Sequence, residues 1–410
     1  ELQRLAVPGC WTMQGVGDAP IYTNVRMPFD ADLPHPPVEN PTGLYRRAFT
    51  VPETWRGRRT ILHVGGVDSV GIVYVDGAFV GVAKDSRLAT EFDLTPHIRP
   101  GHEQQLAIIV IRHSDGSYVE DQDHWRHAGL HREIGLYSVA EVRIDDVELR
   151  GRLSADLTRG GITATVLVGV ATTAWPAGWT VAVALTGPDG KPAAQATAAI
   201  KPVAGAVGDR SDWQFNRKLE LDLPLPQPQA WTAETPQLYT AVITLAKPDG
   251  TVVECTSARC GLGRLDKAFR EIRINNRKVY FRGVNRHDTH PETGKVQTAA
   301  EMRAELLLMK RLNINAIRTS HYPNDPALLD LCDELGFLVW EESLGWGQHE
   351  KQLTSAAFRA ANLAQIDEMI RAYRARGHMA AWLDPLQRVC ERPPELDPAP
   401  KQGDHRAINR

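Results

Sequence analysis

The stretch NINAIRTSHYPNDPALLDLCDELGFLVWEE, Asn313 to Glu342, decides how the C-terminal third of this chain is built. INAIRTS is a short apolar, β-branched run and reads as a strand. A helix follows, DPALLDLCDELG, with Asp325 at the N-cap, Pro326 at the first helical position and Gly336 as the stop. FLVWEE is the next strand. Working outward, TAAEMRAELLLMKRLN carries a capping box at Thr298 and Glu301, and Met302, Leu306 and Met309 mark one helical face. Before it VYFRGV reads as a buried strand, and after the quoted stretch FRAANLAQIDEMIRAYRARG reads as a third helix. Strand and helix alternate three times, the pattern of parallel βαβ units.

In such units the polar residues that serve chemistry gather at the C-terminal strand ends. RGVNRHDTHP, RTSHYP and EESLGWGQHE fall at three consecutive strand ends. His287, Arg318 and His321 are therefore expected on one rim, where they would donate hydrogen bonds to several hydroxyls of one polar ligand. Glu341 and Glu342 are adjacent on a strand, so only one of them faces that rim. Asn285, Glu342 and Trp346 are the further expected lining residues. No HExxH or comparable tight spacing suggests a catalytic metal.

The rest of the chain has a different grammar. Up to about residue 140, RRTILHVGG, GIVYVDGAFVG and QLAIIVIRHSDG are β-rich runs bounded by Gly, Asp and Pro, as in an all-β sandwich. From about 142 to 262, VRIDDVEL and KLELDLPL alternate apolar with polar residues, and two PDG turns, Pro188–Gly190 and Pro248–Gly250, separate strand-like runs. A formal net charge of −3 over 410 residues argues against nucleic acid or an anionic membrane as partner. No apolar run approaches the about 18 residues of a membrane span. The first residues show neither a basic start nor a long apolar segment, so a cytoplasmic location is expected, with a periplasmic or secreted one open because the chain lacks an initiator Met. Five cysteines, without a second pair to match CTSARC, are expected reduced and structural.

Several long phrases carry a resemblance: DAPIYTNVRMPF, ENPTGLYRRAF, DSRLATEFDLT, SDGSYVEDQDHWR, TPQLYTAVITL, RGVNRHDTHPETGKV and the stretch quoted first. In this order they resemble the glycoside hydrolase family 2 enzymes, in their β-galactosidase branch, from about residue 8 to about 375. The resemblance implies a multidomain chain of two all-β sandwiches, jelly-roll-like (1–140) and immunoglobulin-like (141–262), followed by an incomplete (β/α)₈ TIM barrel (263–375). It also implies hydrolysis of terminal β-D-galactosides with retention, and a homo-oligomer for the full-length enzyme. His287, Arg318 and His321 match its sugar-contacting residues. Asp123 of EDQD matches a carboxylate that binds galactose hydroxyls and borders a sodium ion. Asp68 stands where the best-known members carry Asn, and is expected near the substrate. Trp346 and Gln348 replace a Glu and a His of the family's magnesium site, so that site is expected to be absent or different.

Retaining glycosidases use two carboxyls about 5 Å apart. In this family both are glutamates, the acid/base following an Asn, and the sequence contains no Asn-Glu pair. Gly263–Arg410 is also well short of the about 250 residues of a whole barrel. The catalytic glutamates are thus expected to be missing and the chain inactive alone. The tail 376–410 is expected to be a divergent, proline-rich segment. A frameshift would explain it, since one base over, plausible codons for Trp382–Glu391 allow a run ending in Asn-Glu. The competing expectations are a non-catalytic carbohydrate-binding or scaffold protein, and another family 2 glycosidase such as a β-glucuronidase or β-mannosidase.

Overall fold

The computed structural model describes residues 3–24, 26–29, 34–170, 177–200, 217–343, 350 and 354–374. By its internal contacts the chain falls into two compact units. One joins Glu1–Glu141 to Arg282–Leu331 and Trp340–Ala372; the other comprises Val142–Phe281 with Cys332–Val339.

In the first unit two antiparallel sheets form the expected sandwich. One has the strand order Thr42–Thr50, Glu103–Ile111, Val70–Val75, Ala78–Lys84; the other has Thr90–Asp93, Arg59–Val64, Ile134–Val139. Alternate residues point inward, and Leu62, Val64, Val73, Val75, Phe92, Ile108 and Val110 close the core together with Trp11.

In the second unit the strands Val142–Leu153, Gly160–Val170 and Arg217–Leu225 pair antiparallel. The register sets Ile162 opposite Leu223 and Ala164 opposite Leu221, so one face of the sheet is continuously apolar. A second sheet of four strands, ordered Pro192–Ala199, Thr180–Thr186, Leu238–Ala246, Val252–Gly261, contributes Val181, Val183, Leu185, Ala241, Ile243 and Leu245 to the same core. Both PDG turns close hairpins, with Gly190 N–H donating to Gly187 O and Gly250 N–H to Lys247 O, each at 2.9 Å. Asp189 and Asp249 brace them by accepting from the backbone N–H two residues on. Cys10, Cys260 and Cys332 are reduced thiols and buried, while Cys255 is a reduced thiol on the surface.

A small antiparallel meander follows, Leu265–Ala268, Glu271–Ile274 and Arg277–Lys278. Its presence corrects the reading of VYFRGV. Val279 N–H donates to Ile272 O at 3.0 Å, so the start of that run completes the hairpin. Tyr280 and Phe281 are exposed, at 69% and 47%. The first barrel strand is only Gly283–Arg286, and of its four residues Arg286 alone is buried.

That strand pairs parallel with Ala316–Thr319, in the register Gly283 to Ala316 through Arg286 to Thr319, and the sheet continues to Leu338–Trp340. The intervening helices start where their caps dictate. Thr298 and Glu301 form a complete capping box ahead of Ala299–Arg311. Asp325 Oδ1 accepts from Ala327 N–H at 2.9 Å to open Pro326–Leu335. Gly336, at φ +80°, ends that helix in the left-handed conformation glycine adopts without strain, and both Gly336 and Phe337 N–H return to Cys332 O. On the first helix Met302 and Leu306 are buried, while Leu307 and Leu308 are exposed. The third helix spans Ala356–Arg374.

Candidate sugar-binding site

Three strand ends bring their polar side chains together. Arg318, near the end of the second strand, donates Nε to Glu342 Oε1 at 2.6 Å and Nη2 to Oε2 at 3.0 Å, a bidentate pair. Its Nη1 reaches Asn285 Oδ1 at 3.4 Å. His321 Nδ1 lies 3.0 Å from Glu342 Oε2 and 3.2 Å from Arg318 Nη2. Glu342 N–H in turn donates to Thr319 Oγ1, which fixes the carboxylate's own backbone. Of the two adjacent glutamates, then, Glu342 faces this rim, whereas Glu341 turns to accept from Asn324 N–H at 2.9 Å.

His287 completes the cluster edge-on to His321, ring centroids 5.6 Å apart. Burial of its ring faces, and then the neighbouring His321, push its imidazole below the usual histidine range. It is therefore neutral at pH 7, with one donor and one acceptor nitrogen. Tyr322 OH lies 3.5 Å from His287 Nδ1 and already accepts from Asp288 N–H at 2.9 Å. Burial raises the Tyr322 phenol, so its proton is retained.

Side chains of the first sandwich brace the residues around this rim. The Arg87 guanidinium, 2% exposed, lies 3.6 Å over the Tyr322 ring. Asp288, buried within the motif RHDTHP, faces Arg87 at 3.7 Å, Arg286 at 3.3 Å and Arg132 at 3.9 Å. Lys295, from the same loop, donates to Asp68 Oδ2 at 2.5 Å inside the protein. Burial alone would raise Asp68, but the Lys295 ammonium holds it net below the usual carboxylate range. Gly294, at φ +71°, lets the loop pass His127 so closely that a Cβ would lie 2.9 Å from its Cε1.

The expected site residues therefore distribute as follows. His287, Arg318, His321, Asn285 and Glu342 meet at one rim. Asp123 is bonded by Tyr22, whose hydroxyl donates to Oδ1 at 2.7 Å, and its charge is felt at His287. Asp68 is buried, with Lys295 on one oxygen and Ser86 Oγ 3.4 Å from the other. Trp346, Gln348 and the tail 376–410 lie outside the described residues. Arg87, Lys295, Asp288 and Tyr322 were not singled out from the sequence. Asp288 and Lys295 sit inside the RGVNRHDTHPETGKV phrase, which offered a signal; Arg87 offered none, because a buried arginine has no local pattern. For a sodium ion, Asp123 supplies one carboxylate with one oxygen already bonded. Among the described residues no group of three or more His, Cys, Asp or Glu could hold a metal. The described residues alone do not make a cation site there, and no step is routed through one.

Two antiparallel sandwiches joined to strand–helix units, with arginine, histidine and glutamate tied together at the strand ends, are the build of a modular glycoside hydrolase. Models of one family match three consecutive segments: "Glycosyl hydrolases family 2, sugar binding domain" over 1–140, "Glycosyl hydrolases family 2" over 142–262 and "Glycosyl hydrolases family 2, TIM barrel domain" over 267–379. The chain belongs to glycosyl hydrolase family 2. Among curated relatives, it is 36% identical over 342 residues to a β-galactosidase of Psychromonas ingrahamii, covering 83% of this chain and 32% of that one. To one of Klebsiella pneumoniae it is 37% identical over 382 residues, covering 92% and 36%. The chain thus spans about a third of the length of these relatives. In fold it is similar to a β-glucuronidase of Bacteroides uniformis, with a TM-score of 0.76 at 22% identity over 92% of this chain and 42% of that one. It is also similar to a putative β-galactosidase of Bacteroides fragilis, with a TM-score of 0.73 at 19% identity over 83% and 50%.

Proposed function

We propose that this chain forms the galactoside-binding part of a β-galactosidase-type retaining glycoside hydrolase. The observation that carries the reading is the bonded rim of Arg318, Glu342 and His321 with His287 beside it. Polar groups fixed by one another present donors and acceptors at set positions, which is what recognition of a polyhydroxylated ring requires. Identity near 37% to β-galactosidases supports galactose as the sugar. Asp68 acts in this reading through Lys295, and Asp123 takes a sugar hydroxyl.

Hydrolysis needs a free pair of carboxyls. Glu342 is engaged by Arg318 and His321, and Glu341 by Asn324, so this rim orients the sugar rather than cleaving the bond. The test is titration of the purified chain by calorimetry with methyl β-D-galactoside, against methyl β-D-glucuronide and β-D-mannoside. Selective binding of the galactoside, weakened about tenfold or more by R318A or H287A, is expected; equal binding of all three, or none, overturns the proposal. A chromogenic β-galactoside is expected to show no turnover. We also propose domain limits near 140 and 262, which limited proteolysis would check by the persistence of fragments ending near 262.

A further inference from the structure

We infer that the outer face of the sheet Thr42–Thr50, Glu103–Ile111, Val70–Val75, Ala78–Lys84 is a self-association surface, on which a second copy of this chain packs about a two-fold axis running along the strands. The inference does not depend on the proposed function, and none of the rim residues takes part in it.

The strand register writes an apolar row straight across this sheet. Leu44 pairs with Ile109, Ile109 with Ile72, and Ile72 with Val82. In the next row Arg46 pairs with Ala107, Ala107 with Tyr74, and Tyr74 with Phe79, the last two rings edge to face at 5.8 Å. Their strand neighbours Tyr45, Val73, Ile108 and Val110 pack into the core, so alternation turns both rows outward. Leu44 is 61% exposed and Phe79 54%. An antiparallel sheet whose outer face meets water carries polar residues there, and two other sheets of this chain do so. The sheet of Thr90–Asp93, Arg59–Val64 and Ile134–Val139 turns out Arg59 bonded to Asp93 and His63 at 3.0 Å from Glu91. On the four-stranded sheet of the second sandwich an outward row reads Gln195, Ala184, Val242, Ser257. The row Leu44, Ile109, Ile72, Val82 breaks that pattern.

Area and self-complementarity select a second copy as the occupant. With strands about 4.8 Å apart and about 3.4 Å per residue, the face covers roughly 450 Å² in plan. Side-chain relief brings the surface removed from water by two copies to about 1,200–1,400 Å², the low end of stable interfaces. An isologous surface must also complement itself. Half a turn about an axis along the strands lays Thr42–Thr50 of one copy on Ala78–Lys84 of the other, and Glu103–Ile111 on Val70–Val75. Leu44 then faces Val82 and Ile109 faces Ile72, apolar on apolar. Ala107, the smallest side chain of its row, faces Tyr74, the bulkiest, so a gap receives a ring. The Arg46 guanidinium faces the Phe79 ring, a cation–π pair. Lys84, one row beyond, keeps its ion pair with Asp115 and meets Thr42, so no like charges are opposed. Twisted sheets packed face to face cross at about 30°, which places the closest contacts at the centre, on Ile72, Ile109, Ala107 and Tyr74.

The experiment is sedimentation velocity on the intact chain at micromolar concentration under reducing conditions, for the parent, I72K and A184K. The parent is expected to be a dimer. I72K sets an ammonium at the centre of the face and should weaken self-association by about a hundredfold or more. A184K, on the outward row of the second sandwich, should leave it unchanged. A monomeric parent leaves the face to some other partner and overturns the inference. A dimer that survives I72K, or that A184K dissociates equally, overturns it too. Should I72K lose the native circular dichroism, the decision passes to cross-linking in a C255S/C390S background. Leu44 and Val82 lie three strands apart within one copy, about 14 Å, too far for a disulfide, but they face each other across the two-fold. L44C/V82C is therefore expected to give a covalent dimer on oxidation with copper–phenanthroline, while L44C alone and the background chain stay monomeric on a non-reducing gel. If L44C/V82C gives no covalent dimer, or L44C alone gives as much, the copies do not meet in this way and the inference fails.

Discussion

The second sandwich and the first unit solve burial in opposite ways. The sandwich of Val142–Leu262 closes on Val, Ile, Leu and Ala, with Tyr239 and Cys260 among them. The first unit also has an apolar core, but it buries in addition a set of ionisable side chains that includes Asp68, Asp85, Arg87, Glu120, Asp288 and Lys295. Removing a charge from water costs several kcal/mol before any partner is counted. A chain whose only need was stability would have filled that space as it filled the sandwich. The difference fits the proposed sugar-binding rim, because Asp288 and Lys295 belong to the loop that follows His287 and are held there by Arg87 and Asp68.

The largest effect expected from this contrast is at the Lys295–Asp68 pair. K295A would strand a buried carboxylate and lower stability by about 3–5 kcal/mol in urea unfolding. The double variant D68N/K295Q, with both charges gone, should recover most of that loss. A K295A chain as stable as its parent would break the comparison. Next, E342Q removes the acceptor charge that aligns Arg318 and His321, and should weaken galactoside binding by about tenfold with little change in the unfolding midpoint.

The pH dependence sharpens the same contrast. Burial pushes His127 down to about 3 and His113 to about 4, from 6.5. As the pH falls the unfolded chain takes up protons first, so their contribution is complete above pH 6.5 and is lost between 6.5 and about 3. The buried carboxyls run the other way. Burial raises Asp85 to about 6 and Glu120 to about 8, so what they contribute is complete below their ordinary values and lost as the pH rises through 6 and 8. H127Q should flatten the acid arm of a stability profile and E120Q the alkaline arm. If both leave the profile unchanged, these buried groups do not govern it.

Smaller effects belong to the regular elements. I243V in the apolar sandwich should cost about 1 kcal/mol and leave sugar binding untouched. T298A, which opens an exposed capping box, should cost about 0.5–1 kcal/mol.

What could be read from the sequence was what is local. Thr298 with Glu301, and Asp325 with Pro326 and Gly336, set helix ends through bonds a few residues long, and both helices lie where those signals put them. The meander before the barrel was missed although a signal was present. Asn275 and Asn276, at φ 50° and 64°, form the two-residue turn that closes a tight hairpin, but the charged residues around them hid the strands. Alternation of strand and helix was enough to bring His287, Arg318 and His321 to one rim. The braces could not be read this way. Asp68 and Lys295 are 227 positions apart, and nothing near either residue says that it is buried.

The distribution of thiols has a practical consequence. Cys255 lies in solvent on the outer strand Val252–Gly261, whereas Cys10, Cys260 and Cys332 are enclosed, and burial pushes the Cys260 thiol up to about 12. Among the described residues a maleimide added to the folded chain therefore meets one accessible sulfur. Later modification of Cys10, Cys260 and Cys332, followed residue by residue, would time the opening of the interior, giving a clock for unfolding without any engineered label.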